Sequence, residues 1–562
     1  MIDRSRAMIL VVSLPAIGFA CTTPAPDGEG GVGGDGMVST TAVDAIFAGF
    51  SGGDSPGCAV AVSQDGRATL ARAYGLANLE HDIPNTPETV FEPGSVSKQF
   101  TAAATVLLAL DGKISLDDDI REYLPELPDY HSPITVRMLL NHTSGLRDWG
   151  SIAAIEGWPR TTRIHTHKHM LDIASRQKSL NYTPGEFYSY TNTGYNLQAV
   201  LIERVTGMSF EEFSKARIFE PLGMTKTEWR EDFTEIVENR SVGYVPGEDD
   251  EWHMLMPFEN VHGNGGLLTT VGDLLKFTHN LDTGDLGGPR FLEEMHRQGV
   301  LNSGRQISYA SGLFVGEYKG VREVQHSGGT AAYRGFLTRF PDHGLAVSVM
   351  CNAGNANPGR FAHEVAELYL GDGLVDPSEA RVEGIRLAPD QLDRLAAGYR
   401  NMRTNSFVRL TVADGGLSLG GLTLTPLSET RFESANGVVL AFEAVAEGAP
   451  PAAVLSTPEG DEMRLERVEA FAPTAAQLGA YVGSYHSDEA EVTYRVAVED
   501  GQLNMVDRYG DGLPLEPVYS DGFEGPFGTL IFRRDGAGAV NGFSVSQGRV
   551  WDLRFERIAA ED

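Results

Sequence analysis

The period of the apolar positions changes along this chain. "CAVAVSQDGRATLARAYG" (58–75) consists of two apolar-rich runs around Gln64-Asp65-Gly66 and predicts a strand pair closed by an Asp-Gly turn. "SVSKQFTAAATVLLALDG" (95–112) carries Val96, Phe100, Ala103 and Leu107 at helical spacing and then meets Gly112, a stop signal. "VRMLLNHTSGL", "GYNLQAVLIERVTG" and "SFEEFSKARIFEPLG" predict further helices, two of them ending near glycine. Strand-like runs return in "REVQHSGG", "YRGFLTRFPD" and "GLAVSVMCNAG". Strands at both ends of a helical block predict an antiparallel sheet covered by helices, over residues 43–375.

Beyond about Leu387 the pattern shifts to short alternating runs and Asp-Gly turns. This part repeats itself. "LDRLAAGY" (392–399) returns as "LGAYVGSY" (478–485), and "VRLTVADGGL" (408–417) as "YRVAVEDGQL" (494–503). "RLERV" returns as "RFERI", and the offset stays at about 86 to 91 residues. Two all-β units follow, over 387–470 and 473–560, each a small antiparallel barrel or sandwich.

The amino terminus reads as a targeting segment. Arg4 and Arg6 precede "AMILVVSLPAIGFA", an apolar run of about 14 residues, too short to span a bilayer and suited to a signal peptide over 1–20. Gly18 and Ala20 fit the small-x-small cleavage pattern. Cys21 then stands where a lipoprotein carries its acylated residue, although Phe19 departs from the usual lipoprotein signal. Residues 21–42, rich in glycine, read as a tether. The expected location is outside the cytoplasm, periplasmic or secreted, with membrane attachment only through a lipid at Cys21.

A net charge of -32 repels nucleic-acid phosphates and anionic lipid, so neither is an expected partner. Three cysteines, Cys21, Cys58 and Cys351, exclude a disulfide-stapled scaffold. Cys58 and Cys351 lie in apolar runs and read as buried thiols on two strands. No CxxC, HExxH or paired Cys/His cluster appears, so neither metal nor cofactor is expected.

Candidate chemistry begins at "FEPGSVSKQF" (91–100), with Ser95 three residues before Lys98. On a helix these share a face, and the first turn supplies unpaired N–H groups. A partly desolvated lysine amine there can act as base or proton relay for the hydroxyl. The plain alternative is an N-cap serine with a solvated lysine. That alternative fits the second S-x-x-K, Ser175 to Lys178, in a polar helix. "PGEFYSYTNTGYNL" adds Tyr190, whose phenolate is a plausible general base, and Asn192, whose amide offers a donor and an acceptor. Tyr399-Arg400-Asn401 has the same form and reads as a structural loop. "VQHSGGTAAYRGFLTRF" adds His326, Ser327, Gly328 and Gly329 on an edge strand open to a substrate backbone. The N–H of Gly329 can join that of Ser95 in an oxyanion hole.

Taken in order, S-x-x-K, Y-x-N and H-S-G resemble the class C β-lactamase and penicillin-binding-protein superfamily. "LLNHTSGLRDW", "GGLLTTVGDLLKF" and "FPDHGLAVSVMCNAGNANP" fit the same pattern. The resemblance covers nearly all of residues 43–373. It implies an α+β catalytic domain: an antiparallel sheet flanked by helices, with a helical subdomain. It also implies an acyl-enzyme mechanism with Ser95 as nucleophile, Lys98 and Tyr190 as its base pair, Asn192 as a substrate contact and His326 in the proton or binding network. Which of Lys98 and Tyr190 takes the proton stays open. The superfamily's β-lactamases carry lysine where His326 stands, so anchoring of a substrate carboxylate is expected to be weaker. The three-domain layout resembles D-stereospecific aminopeptidases, whose β domains are small barrels. The expected substrate is a small peptide or amide; the alternatives are an ester or a β-lactam, or a non-catalytic protein that holds peptide or glycan.

Overall fold

Asp65 and Gly66 both take positive φ, 48° and 75°, which gives the two-residue turn between β1 (Cys58–Gln64) and β2 (Arg67–Tyr74). The computed structural model describes residues 38–559 apart from 161, 249–250, 376–383, 436, 444–451, 459–460 and 509. The expected signal peptide, Cys21 and the tether up to residue 37 lie outside the described residues. The described residues form two compact units, one on either side of residue 380.

In the first unit, β1 and β2 join β3 (Phe314–Tyr318), β4 (Val321–Thr330), β5 (Tyr333–Phe340) and β6 (Leu345–Cys351). They form one antiparallel sheet in the order β2-β1-β6-β5-β4-β3. Strands from both ends of the unit therefore meet at the β1–β6 pair. Alternation along these strands sorts the side chains. Val60, Val62, Val347 and Val349 face a core completed by Val43, Phe47, Phe361 and Val365. The helix Thr40–Ile46 supplies Val43, so the last residues of the expected tether are helical because they cover this core.

Cys58 and Cys351 stand directly opposite each other in the register and form a disulfide, which corrects the expectation of two separate thiols. Both lie in apolar runs, and only the pairing of the first strand with the last, invisible in sequence, brings the sulfurs together.

The helical block lies between β2 and β3 in sequence. Its elements include α1 (Lys98–Leu110), α2 (His167–Arg176), α3 (Asn192–Thr206) and α4 (Val271–Thr283). α4 packs on β1 and β6, where Ala59, Ala61, Ala346 and Ser348 allow close approach. α1 is buried from Lys98 to Leu108, which makes it the central helix of the block. Gly207, in the left-handed region at φ 72°, ends α3 as the sequence predicts.

The second unit holds two closed barrels of eight antiparallel strands each, spanning Gly398–Arg467 and Gly483–Ile558. Closure leaves neither barrel with a free edge. A short helix precedes each, Pro389–Leu395 and Ala475–Gly479. The repeat extends to single hydrogen bonds. The buried Tyr399 hydroxyl donates to Leu395 O at 2.8 Å, and the buried Tyr485 hydroxyl donates to Tyr481 O at 2.7 Å. Tyr399 sits inside the strand Gly398–Asn401, so the second Y-x-N is barrel structure rather than a loop.

Candidate active site

Ser95 lies in a 3-10 turn, Gly94–Ser97, that leads into α1. It is the only partly exposed residue of 91–100; its neighbours are buried. Lys98 opens α1 and is fully buried. Its Nζ donates to Ser95 Oγ at 3.1 Å, to Asn192 Oδ1 at 2.9 Å and to the backbone carbonyl of Asn264 at 2.8 Å. Three oxygens thus compensate the desolvation of one amine. The rings of Tyr190 and Tyr195 add their faces, with centroids 4.8 Å and 5.5 Å from Nζ.

Each partner is fixed by its own element. Asn192 begins α3, and its N–H donates to Asp148 Oδ2 at 2.7 Å. Asp148 also caps the helix Trp149–Ile155 through Oδ1. The Trp149 indole donates to Asn196 Oδ1 at 2.8 Å, and Asn196 Nδ2 donates to Asn264 Oδ1 at 2.6 Å. From α1, Thr101 donates to Gly263 O at 2.7 Å. The Tyr190 ring packs on His142, with centroids 4.2 Å apart, and His142 Nδ1 accepts from Thr191 N–H at 3.2 Å.

β4 forms the opposite wall. A Cβ at Gly328 would lie 1.9 Å from Pro93 O and 2.7 Å from Ser95 N. One at Gly94, where φ is +56°, would lie 2.4 Å from Gly329 N. Glycine at both positions is what lets the serine turn touch the strand. The register pairs Thr330 with Tyr333 across a two-residue turn and Gly328 with Gly335. Ladder alternation then directs the Gly329 N–H away from β5, toward the outer edge of β4. β3 pairs with β4 only as far as Gln325, so this edge carries no described strand from His326 onward. Ser327 is exposed on the strand face opposite His326 and Gly328.

His326 is buried, and both of its ring nitrogens are engaged. Nδ1–H donates to Ser327 O at 2.6 Å, and Nε2 accepts from the Tyr309 hydroxyl at 3.0 Å. Burial, and then the Lys98 charge, push its pKa down to about 3. The ring is therefore neutral across the physiological range.

Ser95, Lys98, Tyr190, Asn192, His326, Gly328 and Gly329 thus converge on one site. The second S-x-x-K does not resemble it: Ser175 donates to Asp172 O within its own helix, α2. Asn264, Asp148 and Tyr309 escaped the sequence reading. Asn264 reaches Lys98 through its backbone, which no side-chain pattern signals. Asp148 lies in "LLNHTSGLRDW", a stretch matched only as a landmark.

Residues 43–371 match the protein family described as Beta-lactamase. A D-aminopeptidase of Gluconobacter oxydans is 28% identical over 537 residues, 92% of this chain and 98% of that protein. Penicillin-binding protein 4* of Bacillus subtilis is 31% identical over 309 residues, 52% of this chain and 67% of that one. Among solved structures, D-amino acid amidase from Ochrobactrum anthropi SV3, complexed with L-phenylalanine amide, superposes with a TM-score of 0.50 at 25% identity. That match covers 58% of this chain and 97% of the amidase. The octameric penicillin-binding protein homologue from Pyrococcus abyssi shares the fold at a TM-score of 0.54 and 24% identity, over 76% of this chain and 98% of its own.

Proposed function

This chain belongs to the β-lactamase family and is a serine hydrolase, and from that premise we propose that it cleaves the amide bond of small D-amino-acid amides or peptides through an acyl-enzyme on Ser95. The observation that carries this reading is the arrangement around Lys98 Nζ. Asn192 Oδ1 and Asn264 O can only accept, so they engage two N–H bonds whether the amine is charged or neutral. The third direction faces Ser95 Oγ. A neutral amine directs its lone pair there and takes the hydroxyl proton; the resulting ammonium returns an N–H to the same oxygen. Proton transfer requires no rearrangement of the lysine.

Ser95 Oγ then bonds to the substrate carbonyl carbon, and the oxyanion accepts from the N–H groups of Ser95 and Gly329. Collapse breaks the C–N bond as the leaving amine receives the proton. Water attacks the ester so formed, loses a proton to the same base, and releases acid and free Ser95. Tyr190, beside the ammonium, shares this proton path. A neutral His326 gives a substrate carboxylate no cation, which favours amides over β-lactams.

D-alanine p-nitroanilide is expected to be hydrolysed at least about tenfold faster in kcat/KM than the L-isomer, since a pocket built for one hand loses about 1–3 kcal/mol of contacts with the other. A ratio at or below one rejects the D-specific reading. Faster turnover of a short p-nitrophenyl ester with no anilide cleavage selects the esterase alternative.

Export with lipidation at Cys21 is part of the proposal. The Cys58–Cys351 disulfide supports an oxidising compartment. Mass spectrometry of the membrane fraction is expected to find a diacylglyceryl cysteine as the first residue of the mature chain. An unmodified Cys21 in a soluble mature chain rejects the anchor and leaves secretion.

A further inference from the structure

Behind the Asn264 loop lie His167, Glu203 and His262, three metal-ligating side chains that the hydrolytic mechanism does not use. One donor atom from each lies within 4.8 Å of the others. His167 is the first residue of α2, Glu203 lies in the last turn of α3, and His262 sits two residues before Asn264. The His262 ring is 5% exposed, and neither of its nitrogens has a hydrogen-bond partner. A buried imidazole left in that state costs about 1–3 kcal/mol per group and calls for a ligand. The ring is held between Phe210, stacked at 5.6 Å, and His167, edge-on at 4.2 Å, with Nε2 4.0 Å from Glu203 Oε1.

We propose that His167, Glu203 and His262 form a binding site for a divalent transition-metal ion of the zinc type. Two imidazoles and one carboxylate suit zinc rather than magnesium or calcium, which take oxygen ligands. His167 Nε2 lies 3.0 Å from the carbonyl oxygen of His262. The His262 backbone N–H also donates to Nε2 at 3.2 Å, so both backbone groups of His262 orient the His167 ring, as outer-shell partners orient metal-bound histidines. Metal–ligand bonds of about 2.0–2.2 Å place tetrahedral donors about 3.4 Å apart, so the three groups must close by up to about 1.4 Å. Glu203 is one-third exposed and flexible enough to supply much of that movement. Two arginines act on the cluster, and both are paired elsewhere: Arg230 with buried Glu92 at 3.2 Å and Arg204 with Glu126.

The site joins α2 and α3 to the loop whose Asn264 carbonyl holds Lys98. The same loop is also held by Asn196 Nδ2 of α3, which donates to His262 O at 2.7 Å. An ion there fixes the backbone on which the lysine depends, without taking part in bond cleavage.

Isothermal titration of the chelator-treated full chain with Zn2+ tests this. One equivalent is expected to bind, and Co2+ is expected to bind in its place with visible d–d absorption. Glu203→Gln and His167→Asn, at partly exposed positions and checked for folding by circular dichroism, are expected to weaken Zn2+ binding at least about tenfold. His486→Asn, in the second barrel, is expected to leave it unchanged. Failure of the wild-type chain to take up Zn2+ stoichiometrically, or wild-type affinity in Glu203→Gln and His167→Asn, overturns the site.

Discussion

Ser95→Ala is expected to lower kcat by about four orders of magnitude or more on any amide or ester that the wild-type protein hydrolyses, because removing the nucleophile of a serine/base unit removes the covalent route. The fold should survive. Ser95 is partly exposed, so loss of Oγ opens no core cavity, and Lys98 keeps Asn192 Oδ1 and Asn264 O as partners. The thermal midpoint should stay within a few degrees, since surface changes cost about 0.5 kcal/mol or less. Covalent labelling by a fluorophosphonate should disappear together with turnover. Ser175→Ala is the matched control. Its hydroxyl serves only a bond to Asp172 O within α2, and its rate should equal that of wild type. A Ser95→Ala protein that kept more than a few percent of wild-type turnover would falsify the assignment of the nucleophile.

How much of this was legible in the sequence depends on whether a feature is local. The β1–β2 turn follows from Asp65-Gly66, and the end of α3 from Gly207, because each is set by one residue's backbone preference. The barrels were legible because they occur twice: Tyr399 and Tyr485 hold equivalent places and make equivalent bonds four residues back. The site was legible as three ordered motifs, since Ser95, Tyr190 and His326 meet there by their side chains. Long-range pairing was not. Cys58 and Cys351 meet because the sheet closes its first strand on its last. His167, Glu203 and His262 come from two helices and a loop, and no short spacing joins them. The Asn264 carbonyl could not be read at all, because any residue at that position presents the same oxygen.

Lys98→Met separates the two candidate bases. Methionine matches the four-atom stem of lysine at this buried position at the start of α1 but lacks the terminal amine. If Lys98 takes the Ser95 proton, kcat/KM should fall about 10³- to 10⁴-fold, the upper part of the range for general acid–base catalysis. Fluorophosphonate labelling should slow by a similar factor without vanishing, since Oγ remains. Tyr190→Phe, which keeps the ring that packs on His142 and faces Lys98 Nζ, should then cost less, about 10- to 100-fold, through the proton path alone. Stability moves separately. Methionine leaves Asn192 Oδ1 and Asn264 O without their donor, at about 1–3 kcal/mol for each buried acceptor, while it also relieves the desolvation of a buried amine. The net change in stability is therefore smaller than the sum of the lost bonds, and melting curves show whether the folded fraction accounts for any lost rate. The deciding comparison is the ratio of the two variants in kcat/KM, measured on one anilide at one pH. If Tyr190→Phe loses about 10³-fold or more while a folded Lys98→Met keeps more than about a tenth of wild-type activity, the phenolate takes the proton and the lysine serves to hold it.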